Sequence, residues 1–305
     1  MENNSPIEEL VHLYVDGAFS RRELMEKVSK QAGGWAAALA AMTALGVTTA
    51  EVPAQAQVLG CPADPKVPET ATDIQARNVT YPGEGGTLFG YIAYPNPLPA
   101  TQQPGIIVVH ENRGLVEHIK DVTRRCARAG FVALGVDLLS RQGGTDSFPD
   151  ATTQQQAYSR TNQFDRRVDL ISSLDYLKRQ PMCKFDSIGA IGFCAGGGNI
   201  WDFTLSIQEI KAASIFYGAP VPQVELLDLI QTPILANYAE LDRNLSLSMA
   251  NVYTGMLQRQ KKFSFKLYEG VGHAFNNDTG PAYNAAAACE AWAASMAWFN
   301  KFLRA

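Results

Sequence analysis

Short apolar segments alternate with longer amphipathic ones from about residue 74 to the end of the chain. Apolar runs bounded by turn residues are typical of strands buried on both faces, and their alternation with helices predicts a mostly parallel sheet covered by helices on both faces. The fold class is therefore α/β. We predict strands over 78–81, 87–94, 105–111, 131–137, 187–193, 212–217, 233–238 and 263–268, and helices over 116–130, 154–180, 197–204 and 283–303. In such sheets ligands bind at the carboxyl ends of the strands.

The first 73 residues show a different pattern. Ile7, Leu10, Val11 and Tyr14 have the spacing of one helical face, so residues 1–50 are predicted to form a helical arm, which offers a route to a homodimer. Residues 51–73 form a predicted linker, and residues 74–305 the catalytic domain. The alternative for the arm is an export leader, because Arg21 and Arg22 resemble a twin-arginine motif and Ala54-Gln-Ala56 resembles a cleavage site. The arm hypothesis places the protein in the cytoplasm, and the leader hypothesis places it in the periplasm or outside the cell.

Composition narrows the classes of function. The chain has 305 residues, of which 46% are hydrophobic and 18% charged, so it can bury a full core. Its net charge of -4, without clusters of Lys and Arg, argues against nucleic acid as a partner. No segment has the apolar length of a membrane span. Five scattered cysteines have no metal-ligand spacing and suit reduced thiols, although one disulfide stays open. We expect neither a metal nor another cofactor.

The pattern Gly192-x-Cys194-x-Gly196 follows an apolar strand and precedes a helix. It is the nucleophile-elbow pattern of α/β-hydrolases, with cysteine in place of the usual serine. A strand-to-helix turn this tight needs glycine on both sides, and it sets the central side chain above the sheet near the positive end of the helix. That position favours a thiolate. The pentapeptide alone also fits a small buried cysteine, so the rest of the chain has to decide.

A nucleophile needs a base and an acid that orients the base, and at an elbow these follow in the order acid, then histidine. His273 is the only histidine after Cys194, and it lies in a glycine-bearing loop after the last strand. Asp242 follows the strand before it and is favoured over Glu240 as the orienting acid. Glu111 ends the first long strand at the same edge and would oppose a thiolate by like-charge repulsion. His110, within that strand, fits a core imidazole.

These motifs resemble the dienelactone hydrolase (carboxymethylenebutenolidase) family over about residues 76–303. The likeness is carried by His110-Glu-Asn-Arg-Gly114, Asp137-Leu-Leu-Ser-Arg-Gln142, Gly192-Phe-Cys-Ala-Gly-Gly197, Phe216-Tyr-Gly218, Ala239-Glu-Leu-Asp242 and Gly272-His-Ala-Phe275. The resemblance implies the α/β-hydrolase fold and a triad of Cys194, Asp242 and His273. It also implies that Glu111 contacts the resting thiol. Two arginines bind the substrate carboxylate in the family; Arg141 matches the first, and Asn277 stands where the second is expected.

The sequence thus predicts a hydrolase that opens a small lactone or carboxylic ester through a thioacyl-enzyme on Cys194. The oxyanion is expected to bind the backbone N–H groups of Ala195 and Asn112. Arg141 and Asn277 are the candidate substrate-binding residues. One alternative is a general carboxylesterase for neutral esters, which the loss of the second arginine favours. An alternative of another class is a thiol-based redox sensor or a non-catalytic binding protein.

Overall fold

A central sheet of eight strands organises the chain. The computed structural model describes residues 66–304. Its strands run β1 Ile74–Gly83, β2 Gly86–Pro95, β3 Gln103–Val109, β4 Val132–Val136, β5 Cys183–Phe193, β6 Ile210–Phe216, β7 Ile234–Ala239 and β8 Phe263–Tyr268. Their order in the sheet is β1-β2-β4-β3-β5-β6-β7-β8. The β1–β2 and β2–β4 pairs are antiparallel and all the others are parallel. The predicted mostly parallel sheet and its opening hairpin are confirmed.

Six α-helices cover the sheet in the described part of the chain: α1 Glu117–Arg128, α2 Ala151–Ser159, α3 Gln163–Lys178, α4 Ala195–Ser206, α5 Arg243–Gln258 and α6 Ala285–Leu303. Alternate residues of β3 face opposite sides, as a pleated strand requires. Ile107 and Val109 join one apolar core together with residues of α3, α4 and α5. Ile106 and Val108 join a second core together with α1 and α6. Each face of the sheet therefore has its own core.

Two helical predictions differ from the structure. The helix predicted over 154–180 is two helices, α2 and α3, because Asn162 interrupts it and caps α3 by accepting a hydrogen bond from the Asp165 N–H at 2.8 Å. Helix α5 was not predicted at all. It begins directly after Asp242, and its Leu245, Met249, Val252 and Met256 recur at the spacing of one helical face, a signal that the prediction did not use.

The chain joins the domain before β1. Val67 is buried, its N–H donates to Asp121 Oδ1 at 2.7 Å and its carbonyl accepts from Arg124 Nε at 2.5 Å. The end of the predicted linker 51–73 is therefore packed against α1. The predicted arm, the export motif and the cleavage pattern lie outside the described residues. Within residues 66–304 no helix has the length and apolarity needed to cross a bilayer.

Candidate active site

Cys194 occupies the turn between β5 and α4. Its φ of 53° and ψ of -120° are a strained conformation for a side chain with a Cβ. The neighbouring glycines make this turn possible. A Cβ at Gly192 would lie 2.5 Å from the Gly196 carbonyl oxygen, and one at Gly196 would lie 2.3 Å from the His110 carbonyl oxygen. The Cys194 side chain is half-buried at the N-terminus of α4, as the elbow pattern predicts.

His273 connects Cys194 with Asp242. Its Nδ1 lies 2.5 Å from Asp242 Oδ2, and its ring is also within hydrogen-bonding reach of Cys194. Because Nδ1 faces Asp242, Nε2 is the nitrogen left for Cys194. Burial lowers the pKa of His273, but the hydrogen bonds and charges of Cys194 and Asp242 outweigh burial and raise it to about 9. The three residues predicted from chain order are thus brought together, with Asp242 rather than Glu240 beside the ring.

Backbone strain is concentrated around these residues. Four non-glycine residues of the described chain have positive φ: Cys194, Tyr217, Ala274 and Gln260. The first three belong to the site, since Ala274 follows His273 and the Tyr217 ring packs against the His273 ring with a centroid distance of 5.0 Å. Strain of this kind persists only where the surrounding structure imposes it. Tyr217 was not singled out from sequence, although the Phe216-Tyr-Gly218 motif contains it.

Glu111 lies beside the site and has two hydrogen-bond donors. Asn277 Nδ2 donates to its Oε2 at 2.8 Å, and the Tyr217 hydroxyl approaches Oε1 at 3.5 Å. Burial raises the pKa of Tyr217 well above 10, and the charges of Glu111 and Cys194 add to the rise. Among the described residues, no hydrogen bond joins Glu111 to Cys194. The contact with the resting thiol that the family resemblance implies is therefore not seen, and Glu111 is paired with Asn277 instead.

The loop after His273 is held by two residues of helix α1. Asp278 accepts from Arg125 at 2.5 Å and lies 3.1 Å from His118 Nδ1. Burial raises the pKa of Asp278, but these two partners outweigh it and hold the pKa far below its ordinary value. This network ties the segment that carries His273 and Asn277 to helix α1.

The two expected oxyanion donors lie on the C-terminal side of β3 and β5. Ala195 opens α4 and Asn112 lies in the loop after β3. Neither N–H donates to a carbonyl in the described residues, so both are available to an external acceptor. The loop after β3 is held by His110, whose Nε2 accepts from the Leu138 N–H at 3.0 Å. Nδ1 therefore carries the proton and donates to the Glu111 carbonyl at 2.5 Å. Burial lowers the pKa of His110, in keeping with the core imidazole predicted from sequence.

Arg141 is occupied by carboxylates of α3. Its Nη2 and Nε bind Asp169 at 2.9 and 3.0 Å, and its Nη1 lies 3.2 Å from Asp165. The guanidinium also packs under the β1–β2 turn, where a Cβ at Gly85 would lie 2.3 Å from Nη1. The structure thus gives this candidate substrate residue a structural role between the hairpin and α3.

A second arginine, Arg166, contacts helix α4, which begins directly after Cys194. Its Nε donates to Asn199 of α4 at 2.9 Å, and its guanidinium stacks over the Tyr158 ring at 5.2 Å. Burial raises the pKa of Tyr158; the Arg166 charge opposes that rise and the Cys194 charge adds to it. Arg166 and Tyr158 were missed because Asn162, which sets the start of α3, was not recognised as a cap.

Comparisons with known proteins agree with this geometry. The profile of the dienelactone hydrolase family matches residues 88–303. A Synechocystis protein named "Putative carboxymethylenebutenolidase" is 29% identical over 236 residues, covering 72% of this chain and 94% of its own. A Methylorubrum extorquens protein of the same name is 29% identical over 283 residues, covering 87% of this chain and 96% of its own.

Solved structures show the same fold. The crystal structure titled as a putative dienelactone hydrolase from Klebsiella pneumoniae superposes with a TM-score of 0.69 at 25% identity, covering 75% of this chain and 99% of that one. A dienelactone hydrolase-like promiscuous phosphotriesterase from metagenomic libraries superposes with a TM-score of 0.66 at 23% identity, covering 75% of this chain and 99% of that one. The latter shows the fold alone. Because the family profile matches more than half of this chain, the chain belongs to the dienelactone hydrolase family and is a hydrolase of the α/β-hydrolase fold.

Proposed function

We propose that this protein opens a small lactone or carboxylic ester through a thioacyl-enzyme on Cys194. The observation that carries the proposal is the placement of His273 between Asp242 and a strained cysteine at the N-terminus of α4. A nucleophile, a base and an orienting acid in this arrangement are what acyl transfer requires.

In the first step the thiol proton of Cys194 passes to His273 Nε2, the sulfur attacks the carbonyl carbon, and the oxyanion binds the N–H groups of Ala195 and Asn112. His273 Nε2 then gives a proton to the leaving alkoxide, which departs as the alcohol, or as the free hydroxyl arm of an opened lactone. In the second step His273 Nε2 takes a proton from water, and the resulting hydroxide attacks the thioester. The acid leaves and the sulfur is freed. Asp242 keeps the proton of His273 on Nδ1 throughout.

The test is to trap the acyl-enzyme. With a small aryl ester, the intact mass of the wild-type protein should increase by one acyl group, located on Cys194 by peptide mapping. C194A should lose both the adduct and turnover. C183A is the matched control, because Cys183 is buried at the other end of the same strand. Full hydrolysis by C194A would exclude this mechanism.

The acidic end of a substrate, where there is one, is proposed to bind Arg166 rather than Arg141. Arg141 is held by two aspartates, whereas Arg166 makes no ion pair with a carboxylate of the described chain and leaves its Nη2 free of hydrogen bonds there. A charge-assisted hydrogen bond contributes about 1.5–3 kcal/mol, or roughly 10- to 150-fold in kcat/KM.

R166Q should lose that factor for a dienelactone carboxylate but keep kcat/KM for a neutral aryl ester. R141Q should melt earlier and leave the ratio of the two substrates unchanged. An unchanged ratio in R166Q would favour the general carboxylesterase for neutral esters.

The redox-sensor alternative uses the same cysteine differently. A sensor needs an accessible thiolate but has no need for an acid behind the histidine, and the His273–Asp242 hydrogen bond therefore favours hydrolysis. Reversible peroxide oxidation at Cys194, together with no hydrolysis across a panel of aryl esters and lactones, would support the sensor and overturn the proposed function.

For the compartment, the cysteines favour the exported alternative over the cytoplasm. Cys126, Cys183 and Cys194 are free, whereas Cys289 is disulfide-bonded. Reduced thiols are thus found at three cysteines, and the one disulfide that the sequence left open involves Cys289. Structural disulfides persist mainly in oxidising compartments. Mass spectrometry of the protein from its native cell tests this. A mature start near Gln57 with an oxidised Cys289 supports export, and an intact Met1 with a reduced Cys289 contradicts it.

A further inference from the structure

The hydrogen-bond partners of Glu111 are Asn277 and Tyr217 rather than the thiol of Cys194. Oε2 accepts the 2.8 Å hydrogen bond from Asn277, and Oε1 faces the Tyr217 hydroxyl at 3.5 Å. In the described part of the chain the carboxylate makes no hydrogen bond to Cys194. Its charge is nevertheless close enough to act at the site, because Glu111 and Cys194 both raise the pKa of Tyr217 after burial has done so.

Asn277 is built to present its amide group to Glu111. Its side chain is buried, and its Oδ1 accepts from both the N–H and the hydroxyl of Thr279, at 3.0 and 2.7 Å. Two donors on the oxygen fix the orientation of the amide, so Nδ2 has to face Glu111. The Asn277 N–H donates to the Ala274 carbonyl at 2.9 Å, and the next residue, Asp278, is anchored by Arg125 and His118.

Cys194 has a different neighbour within reach. His273 Nδ1 lies 2.5 Å from Asp242 Oδ2, and although burial lowers the pKa of the ring, its interactions with Cys194 and Asp242 raise it. An imidazole of this kind accepts the thiol proton readily, provided that no second negative charge approaches the sulfur.

We propose that Asn277 is a positioning residue that holds the Glu111 carboxylate off Cys194, so that the thiol is paired with His273 before substrate arrives. This inference rests on the proposed function, in which Cys194 is the nucleophile. The proton moves from Cys194 Sγ to His273 Nε2, and no other bond forms or breaks. Glu111 keeps its hydrogen bond to Asn277. The amide supplies a donor without a charge of its own, which leaves His273 as the cation that faces the sulfur.

The experiment is a double-mutant cycle read by alkylation of Cys194 with iodoacetamide, between pH 5.5 and 8.5. Adduct formation is followed by peptide mass spectrometry, so that Cys126 and Cys183 do not contribute. The wild-type protein should react at a nearly constant rate from pH 8.5 down to pH 6. N277A should slow alkylation at pH 6.5 by about tenfold, because the released carboxylate turns towards the sulfur. In the E111Q background the same N277A change should alter the rate by less than about twofold.

Three results would overturn the inference. One is an equal slowing by N277A in both backgrounds, which would mean that Asn277 only supports the fold. Another is no slowing in either background. The third is a wild-type rate that falls about tenfold per pH unit below pH 8, as for a thiol without a paired histidine. Thermal melting checks that each variant is folded, and N277L, which keeps the side-chain volume but has no hydrogen-bond donor, replaces N277A where the latter unfolds.

The cycle separates this inference from the proposed function. If C194A keeps full esterase activity, the nucleophile assignment fails whatever the alkylation rates show. If C194A is inactive and the cycle shows no coupling between Asn277 and Glu111, the positioning role alone fails.

Discussion

Cys183 and Cys194 lie at opposite ends of one strand, and they behave as two different kinds of residue. Cys183 opens β5, is 1% exposed and packs against Gly105 of the neighbouring strand. Burial raises the pKa of its thiol to about 12. Cys194 follows the other end of β5, half-buried and strained, with His273 beside it.

The difference comes from the direction of the strands rather than from the residue. In a parallel sheet all the turns into helices lie at the carboxyl edge, where helix N-termini and long loops converge. The amino edge receives the tight returns from the preceding helices and buries its side chains. A thiol at the amino end of β5 therefore fills space, and a thiol at the carboxyl end meets an imidazole, a helix N-terminus and solvent.

Removing each thiol in turn should give the largest contrast. C194A is expected to lower kcat for a small aryl ester by about 10⁵- to 10⁶-fold, since the nucleophile of a catalytic triad contributes on that scale. C183A should leave kcat within about threefold of wild type, because its side chain contacts no residue of the site. Initial rates on purified, folded variants measure both. A large loss of kcat in C183A would break the contrast between the two ends.

Removing the acid behind His273 should have the next largest effect. D242N keeps the shape of Asp242 but presents a different hydrogen-bonding group to Nδ1, and kcat is expected to fall about 10⁴-fold. KM should change little, since Asp242 does not face the substrate. Steady-state kinetics supply the measurement, and E240Q is the matched control, because Glu240 lies two residues before Asp242 in the same loop after β7. An equal loss of kcat in E240Q would contradict the assignment of Asp242 as the orienting acid.

A change of pH should act on the site through His273. Its pKa is raised from 6.5 to about 9 in the folded protein. The protonated ring therefore stabilises the folded state fully below pH 6.5, and this stabilisation is lost as the pH rises through about 9. We expect kcat/KM for a neutral ester to decline above about pH 9, because the leaving group then finds no proton on Nε2. In D242N the decline should begin at lower pH, since one of the partners that raise the pKa is gone. A decline at the same pH in both proteins would contradict the role of Asp242.

The smallest effect concerns stability at the amino end of β5. C183A removes a buried sulfur and leaves a small cavity next to Gly105, which should lower the free energy of unfolding by about 1–2 kcal/mol. C194A should cost less, because its side chain is half-exposed. Urea unfolding followed by circular dichroism gives both values. A larger loss of unfolding free energy in C194A than in C183A would show that Cys194 also stabilises the fold.

The residues that meet at the site could be predicted because each belongs to a short sequence motif. The elbow glycines, the unique histidine after them and the aspartate after β7 each depend on sequence order and a nearby strand, and the structure places all of them at one edge. Asn162 carries a signal that was not used, since asparagine is a frequent helix cap. Helix α5 also carried an unused signal, because Leu245, Met249, Val252 and Met256 recur at helical spacing and pack into the core.

Pairings between distant residues could not be predicted in the same way. The distance from Arg141 to Asp169 spans 28 residues and that from Glu111 to Asn277 spans 166, and nothing in either sequence neighbourhood specifies its partner. Both pairs changed the interpretation of a residue that the family resemblance had singled out. A motif supplies the residue types at the site, and the tertiary contacts decide which of them are free to meet a substrate.

The position of β5 in the sheet has a consequence for how the enzyme fails on heating. It is the fifth of eight strands and pairs on both sides, with β3 and with β6, whereas β1 and β8 are the edges. Amide hydrogens of such an inner strand exchange with solvent only when the whole domain opens, while those of edge strands exchange through local fraying. Cys194 is thus expected to be attached to the slowest-exchanging part of the molecule. Fraying at β1 is therefore expected to leave the site intact, whereas fraying at the other edge, β8, should displace the loop that carries His273 before the domain unfolds.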